Sequence, residues 1–194
     1  MPSSLDYNFL QKFHQHYDEF VKRYNRYKEV YNEWQQTKSD KSVTDLRVYI
    51  DILIVDLRSL CIESPKLSKN YTIQNFLSSI NRNDLIQKLN AMLDSSFCYL
   101  GESHPMSIRN AIKTCSDNYV CHYDHLDFYD GVNIDLIFTR LTNPYFENNF
   151  ENIINIIIDI MNQAYMTICA NTNLITSSFN AQGNIHGTPE NAQS

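Results

Sequence analysis

Leu10, Phe13, Tyr17, Phe20, Tyr24, Tyr27, Tyr31 and Trp34 recur at alternating steps of three and four. That spacing puts them on one stripe of a long helix, here over about residues 5–37. The other faces carry Lys12, Asp18, Glu19, Lys22, Arg23, Arg26, Lys28 and Glu29. A stripe this aromatic, flanked by cations, suits either a platform on which bases stack or a seam buried against the core or a second copy. The seam is the ordinary way to bury a long helix. His14 and His16, beside the stripe, are expected in solvent.

The rest of the chain continues in the same style. Only 4 Gly and 5 Pro interrupt 194 residues, which favours long helices over many short strands. Lys38-Ser39-Asp40-Lys41 reads as a polar connection. A second helix, from about Val43, carries Leu46, Tyr49, Ile50, Leu53, Leu57 and Leu60 on one face and Val48, Ile52 and Val55 on another, as a central helix would. Arg47, Asp51 and Arg58 line its polar side as an intrahelical charge strip. Ser64-Pro65 stops it. Thr72 caps a short helix with Ile73, Phe76, Leu77 and Ile80, Asn81 to Asn83 break and recap, and Leu85, Ile86, Leu89, Met92 and Leu93 mark a fourth helix closing near Gly101.

Ser103-His104-Pro105 reads as a helix start, with Pro105 in the first turn. Ile108, Ile112, Cys115, Tyr119, His122 and Leu126 then follow at helical steps, so His122 falls on the apolar stripe, and Gly131 gives a stop. Asn133 to Phe146 fits a short helix or a packed extended segment. Phe150 to Ala170 is an apolar helix with Asn152, Asn155, Asp159 and Asn162 as its polar strip. Residues 171–194, rich in Asn, Thr, Ser and Gln, have little to bury and are expected as a mobile tail after a domain spanning 1–170.

A net charge of −6 with 43% hydrophobic residues suits one globular domain and disfavours broad binding to phosphate backbones, leaving room for a small RNA site. No apolar run is long enough for a membrane span, so a cytoplasmic protein without a membrane partner is expected. The cysteines, odd in number and lacking a CxxC pair, read as buried reduced thiols.

Chemistry concentrates in Cys115-Ser116-Asp117-Asn118-Tyr119-Val120-Cys121-His122-Tyr123-Asp124. Cys121 and His125, four apart and joined by His104, would suit a metal, but no second ligand cluster exists, so no metal or cofactor is expected. Cys115 or Cys121 with His122 would suit a nucleophilic pair, although one helix does not bring such neighbours into hydrogen-bond contact. His122 can also simply pack, its ring N–H satisfied by Asn118 or Asp124.

Residues 116–124 resemble the Arg-Asp-Lys-Tyr-Ile-Ala-His-Arg-Asp type of segment found in HEPN-superfamily proteins of the abortive-infection-like branch. The likeness extends more loosely over about residues 5–170, through the long first helix, the charged apolar helix before Leu60-Cys61, the Tyr71-Thr72-Ile73 and Phe76-Leu77 segment, and the closing apolar helix. It implies an all-α, HEPN-like bundle of about five to six helices that dimerises with its motif helices face to face. It also implies a metal-independent endoribonuclease or RNA-binding effector of a phage-defence or toxin–antitoxin system, with RNA, a second copy and a cognate antitoxin or defence protein as partners. In active relatives the 2′-hydroxyl of RNA attacks the adjacent phosphodiester, histidine moves protons and an arginine, separated from that histidine by four to six intervening residues, holds the phosphate. Carried over, His122 and Asp124 are the catalytic candidates with Ser116, Asp117 and Asn118 before them. Arg109, Lys113 and Tyr123 are the RNA-binding candidates. The motif arginine is missing: Cys115, Ser116 and Asp117 occupy its positions, and Asp117 repels phosphate. The competing expectation is therefore a catalytically silent dimerisation module that binds a protein through the aromatic stripe or the last helix.

Overall fold

The computed structural model describes residues 7–63, 70–98, 105–120 and 134–183; the side chains of Cys98, Pro105, Tyr119, Val120 and those after Cys169 are excepted. The long first helix, α1 (Tyr7–Thr37), forms as its spacing predicts, and its rings turn inward. Phe13, Tyr17, Phe20, Tyr24 and Tyr27 are buried. Phe13 stacks on Phe76 with ring centroids 4.4 Å apart, and Tyr27 meets Phe150 edge-on at 5.1 Å. The Tyr24 hydroxyl donates to Asn155 Oδ1 at 3.0 Å and that of Tyr27 to Glu151 Oε1 at 2.5 Å. These contacts make the stripe from Phe13 to Tyr27 the spine of the core, while Leu10, Tyr31 and Trp34 at its ends are half-buried. His14 is also drawn in, contrary to expectation: its Nδ1 pairs with the Tyr165 hydroxyl at 2.8 Å, and its ring lies against Phe76 and Tyr165. His16 is half-buried.

Lys38, at φ 51°, lets the chain reverse, and Ser39 accepts the Ser42 N–H, starting α2 (Asp40–Cys61) earlier than the apolar pattern suggests. Leu53, Ile54, Leu57 and Leu60 are buried, whereas Val48 and Val55 are exposed. The second apolar face thus points outward, and α2 is packed on one side instead of enclosed. Arg23 of α1 holds the buried Asp56 of α2 through both carboxylate oxygens, at 2.7 and 2.9 Å.

Thr72 caps α3 (Ile73–Ser79) as read, by accepting the Asn75 N–H. Asn81, at φ 58°, makes the expected break. α4 (Asn83–Leu93) follows, burying Leu85, Leu89 and Leu93. It stops well before Gly101, because the chain turns into β1 (Ser96–Cys98), which pairs antiparallel with β2 (Pro105–Ser107). Pro105 is therefore in a strand and not in a helix. A two-strand ladder has only edges, and an edge tolerates a residue without an N–H. The helix start moves to Ser107, whose hydroxyl accepts the Asn110 N–H and caps α5 (Ile108–Thr114).

The chain then widens into a π-helical turn (Cys115–Val120). The segment left open between helix and extended chain is a helix, α6 (Ile134–Thr142). Asn149, itself buried, accepts the Asn152 N–H and opens α7 (Phe150–Gly183), which buries Phe150, Ile153, Ile154, Ile157, Ile160, Met161 and Ala164. Helix α7 runs past Ala170 because neither glycine nor proline interrupts the chain from Tyr145 to Gly183. The rest of the expected tail, residues 184–194, lies outside the described residues. The fold is all-α as expected, with one more helix than the upper expectation and a small strand pair among the described residues. No described helix is long and apolar enough to cross a membrane.

Candidate functional site around the π-helical turn

The site is built on α5, whose position is set by Arg109. Its Nε donates to Asp94 Oδ1 at 2.8 Å and a terminal N–H to Asn90 Oδ1 at 3.0 Å, tying α5 to the end of α4. Arg109, expected to bind RNA, is thus engaged in holding the fold. Lys113, one turn on, is exposed.

Beyond Thr114 the i→i+5 pattern of the π turn inserts one extra residue per turn, an arrangement frequent at functional sites. It changes which residues face inward: Cys115 and Ser116 are both buried. The regular 3.6-residue phase therefore ends at the turn, and the continuation of the stripe to His122 lies outside the described residues. Burial raises the Cys115 thiol pKa above its ordinary value, which withholds the thiolate that a nucleophile requires. Ser116 is enclosed, and Asn118 donates to the Thr114 carbonyl at 3.2 Å. Neither presents itself as an acid or a base.

Asp117 differs, since it is half-buried and forms an ion pair with Arg58 of α2. The same guanidinium lies 3.7 Å from Glu63 Oε1. Further up α2, Arg47 Nε donates to Asp51 Oδ1 at 2.9 Å, with its guanidinium over the Phe138 ring of α6. Burial raises the pKa of the Asp51 carboxyl, and Arg47 partly offsets it. The face of α2 opposite the π turn thus carries two guanidinium–carboxylate groups. The upper one is an intrahelical pair, as the spacing predicts; the lower one crosses between helices.

Arg58 was legible only as a member of a charge strip. Its role depends on Asp117, which sits on a different helix and which sequence spacing cannot bring to it. About a third of the Arg58 side chain is exposed. His122, Tyr123 and Asp124 lie outside the described residues, as do Cys121, His125 and His104 of the metal reading. No cluster of His, Cys, Asp or Glu suited to a metal occurs among the described residues. Comparison of the chain with protein-family models, curated proteins and solved structures found no match to any of them.

Proposed function

We propose that the chain is an RNA-directed, HEPN-like effector in which Arg58, held by Asp117, stands in for the absent motif arginine. The observation that carries this reading is the ion pair itself, which brings a guanidinium to the helix five residues ahead of His122. In this reading His122 accepts the proton of the 2′-hydroxyl as that oxygen bonds to phosphorus, and the 5′-oxygen leaves with a proton from a second acid. Arg58 exchanges Asp117 for the phosphate as charge accumulates there. The protein acts as a cytoplasmic homodimer in a phage-defence or toxin–antitoxin setting, with a cognate antitoxin or defence protein as partner. That setting is supported by the resemblance of residues 116–124 alone.

A specific observation favours a second reading. Arg58 lies between two carboxylates, Asp117 and Glu63, while Ser116 is buried and Arg109 is tied to α4. A guanidinium so neutralised holds helices together well and attracts phosphate weakly. This arrangement suits a catalytically silent helical module that binds a protein partner. The surface of such a module would be α7 or the outward valines of α2, since the aromatic stripe is buried from Phe13 to Tyr27.

Purified protein incubated with mixed RNA in EDTA, beside His122→Ala, separates the readings. Cleavage by the parent protein that the substitution abolishes supports the effector. Absence of cleavage by either protein, with the same solution size and melting temperature, removes the catalytic reading.

A further inference from the structure

A cavity of about 360 Å³ opens between β1 and the chain joining α6 to α7, near the lower end of the size range of small-ligand sites. Phe97, fully buried, gives it an apolar wall, and Phe146 forms another. The guanidinium carbon of Arg140 sits over the Phe146 ring, 3.9 Å from its centroid. A guanidinium held face-on against a ring keeps its N–H edge for an acceptor. Tyr145 contributes a ring that is 93% exposed, and Glu147 supplies a carboxylate to the same lining. The turn that presents them is anchored: the Tyr145 N–H donates to Asn143 Oδ1 at 3.0 Å, and the Asn148 amide donates to the Ser96 carbonyl at 2.9 Å.

We propose that this cavity binds a guanine base. The exposed Tyr145 ring offers a face on which a planar base stacks, with the half-buried Phe146 beside it. Guanine presents the O6 and N7 acceptors that an arginine fork recognises, and its N1–H and N2–H donors match a carboxylate. Adenine has an amino donor in place of O6 and lacks both N1–H and the exocyclic N2 group, so it offers Arg140 the single acceptor N7 in place of a pair and cannot give Glu147 the paired N1–H and N2–H donors. The base can come from a free nucleotide or from single-stranded RNA; the recognition chemistry is the same. The site does not depend on RNA cleavage at the π turn.

Isothermal titration of the full chain with guanosine monophosphate, adenosine monophosphate, and short single-stranded RNAs with and without one guanine tests this. The expected result is one-to-one binding of guanosine monophosphate, at least about tenfold tighter than the adenosine nucleotide. Glu147→Gln removes that preference, and Arg140→Ala weakens the guanine ligand by a similar factor, with the thermal melt confirming that both variants fold. Guanine-dependent binding of the RNA assigns the site to RNA, and binding of the nucleotide alone assigns it to a free nucleotide; both support the proposal. Absence of binding at millimolar ligand, equal binding of the two nucleotides, or unchanged guanine binding in folded Glu147→Gln overturns it.

Discussion

Removing Arg23 costs more stability than removing its partner Asp56, because the two ends of the pair are buried unequally. The Asp56 side chain is 7% exposed and that of Arg23 39%. Arg23→Ala therefore strands a carboxylate in the α1–α2 interface, whereas Asp56→Ala leaves an arginine that can swing into water. Breaking a buried pair from one side costs about 3–5 kcal/mol, and water reaching the arginine end brings the expectation for Arg23→Ala down to about 2–3 kcal/mol. The expectation for Asp56→Ala is about 1–2 kcal/mol, the loss of charge-assisted hydrogen bonds without a stranded charge. Replacing both together, by Arg23→Met with Asp56→Leu, returns stability to within about 1 kcal/mol of the parent. Urea denaturation of the four proteins at neutral pH reads these differences as midpoint shifts at constant slope. Equal losses for the two single variants, or a double variant as unstable as Arg23→Ala, would refute the burial argument.

Arg109→Ala should lower stability by about 1 kcal/mol through loss of the Asp94 and Asn90 contacts while leaving RNA affinity unchanged, as urea melts and fluorescence anisotropy would report. The Asp84 carboxyl is lowered from its ordinary 3.8 to about 2, chiefly by its hydrogen bond from Arg82. A lowered acid stabilises above its unfolded pKa and loses that contribution as pH falls through the folded value. The melting temperature of Asp84→Asn should therefore lie below the parent's at neutral pH and meet it near pH 2. Burial pushes the Cys61 thiol up to about 12 and raises that of Cys115, while Cys169 is exposed. Of these three, native alkylation followed by mass spectrometry should modify Cys169 first.

The elements that read most clearly in the sequence were those set by local periodicity. The stripe from Leu10 to Trp34 defined α1, and Thr72 marked the start of α3, because spacing and capping are short-range properties. Misreadings arose where tertiary pairing overrode a local signal. Pro105 is a good first-turn residue, yet pairing of Cys98 with Pro105 across the hairpin places it in a strand. His14 carries a polar ring that the sequence alone leaves in water, but Tyr165, 151 residues away, supplies its partner. The candidate site shows the same division. The charges of Arg47, Asp51 and Arg58 were visible as a strip, whereas the transfer of Arg58 to Asp117 required α2 to pack on the π turn. Nothing in the helical spacing announced that turn, since a π pattern shifts the phase without changing residue types.

RNA affinity of Arg58→Ala against the parent, measured by anisotropy across a salt titration, tests the assignment of Arg58 most directly. If Arg58 reaches phosphate, the variant binds about tenfold more weakly, with a salt slope reduced by about one contact. Unchanged affinity and slope in a variant that only melts at a lower temperature would make Arg58 a structural tie to Asp117 and contradict the assignment.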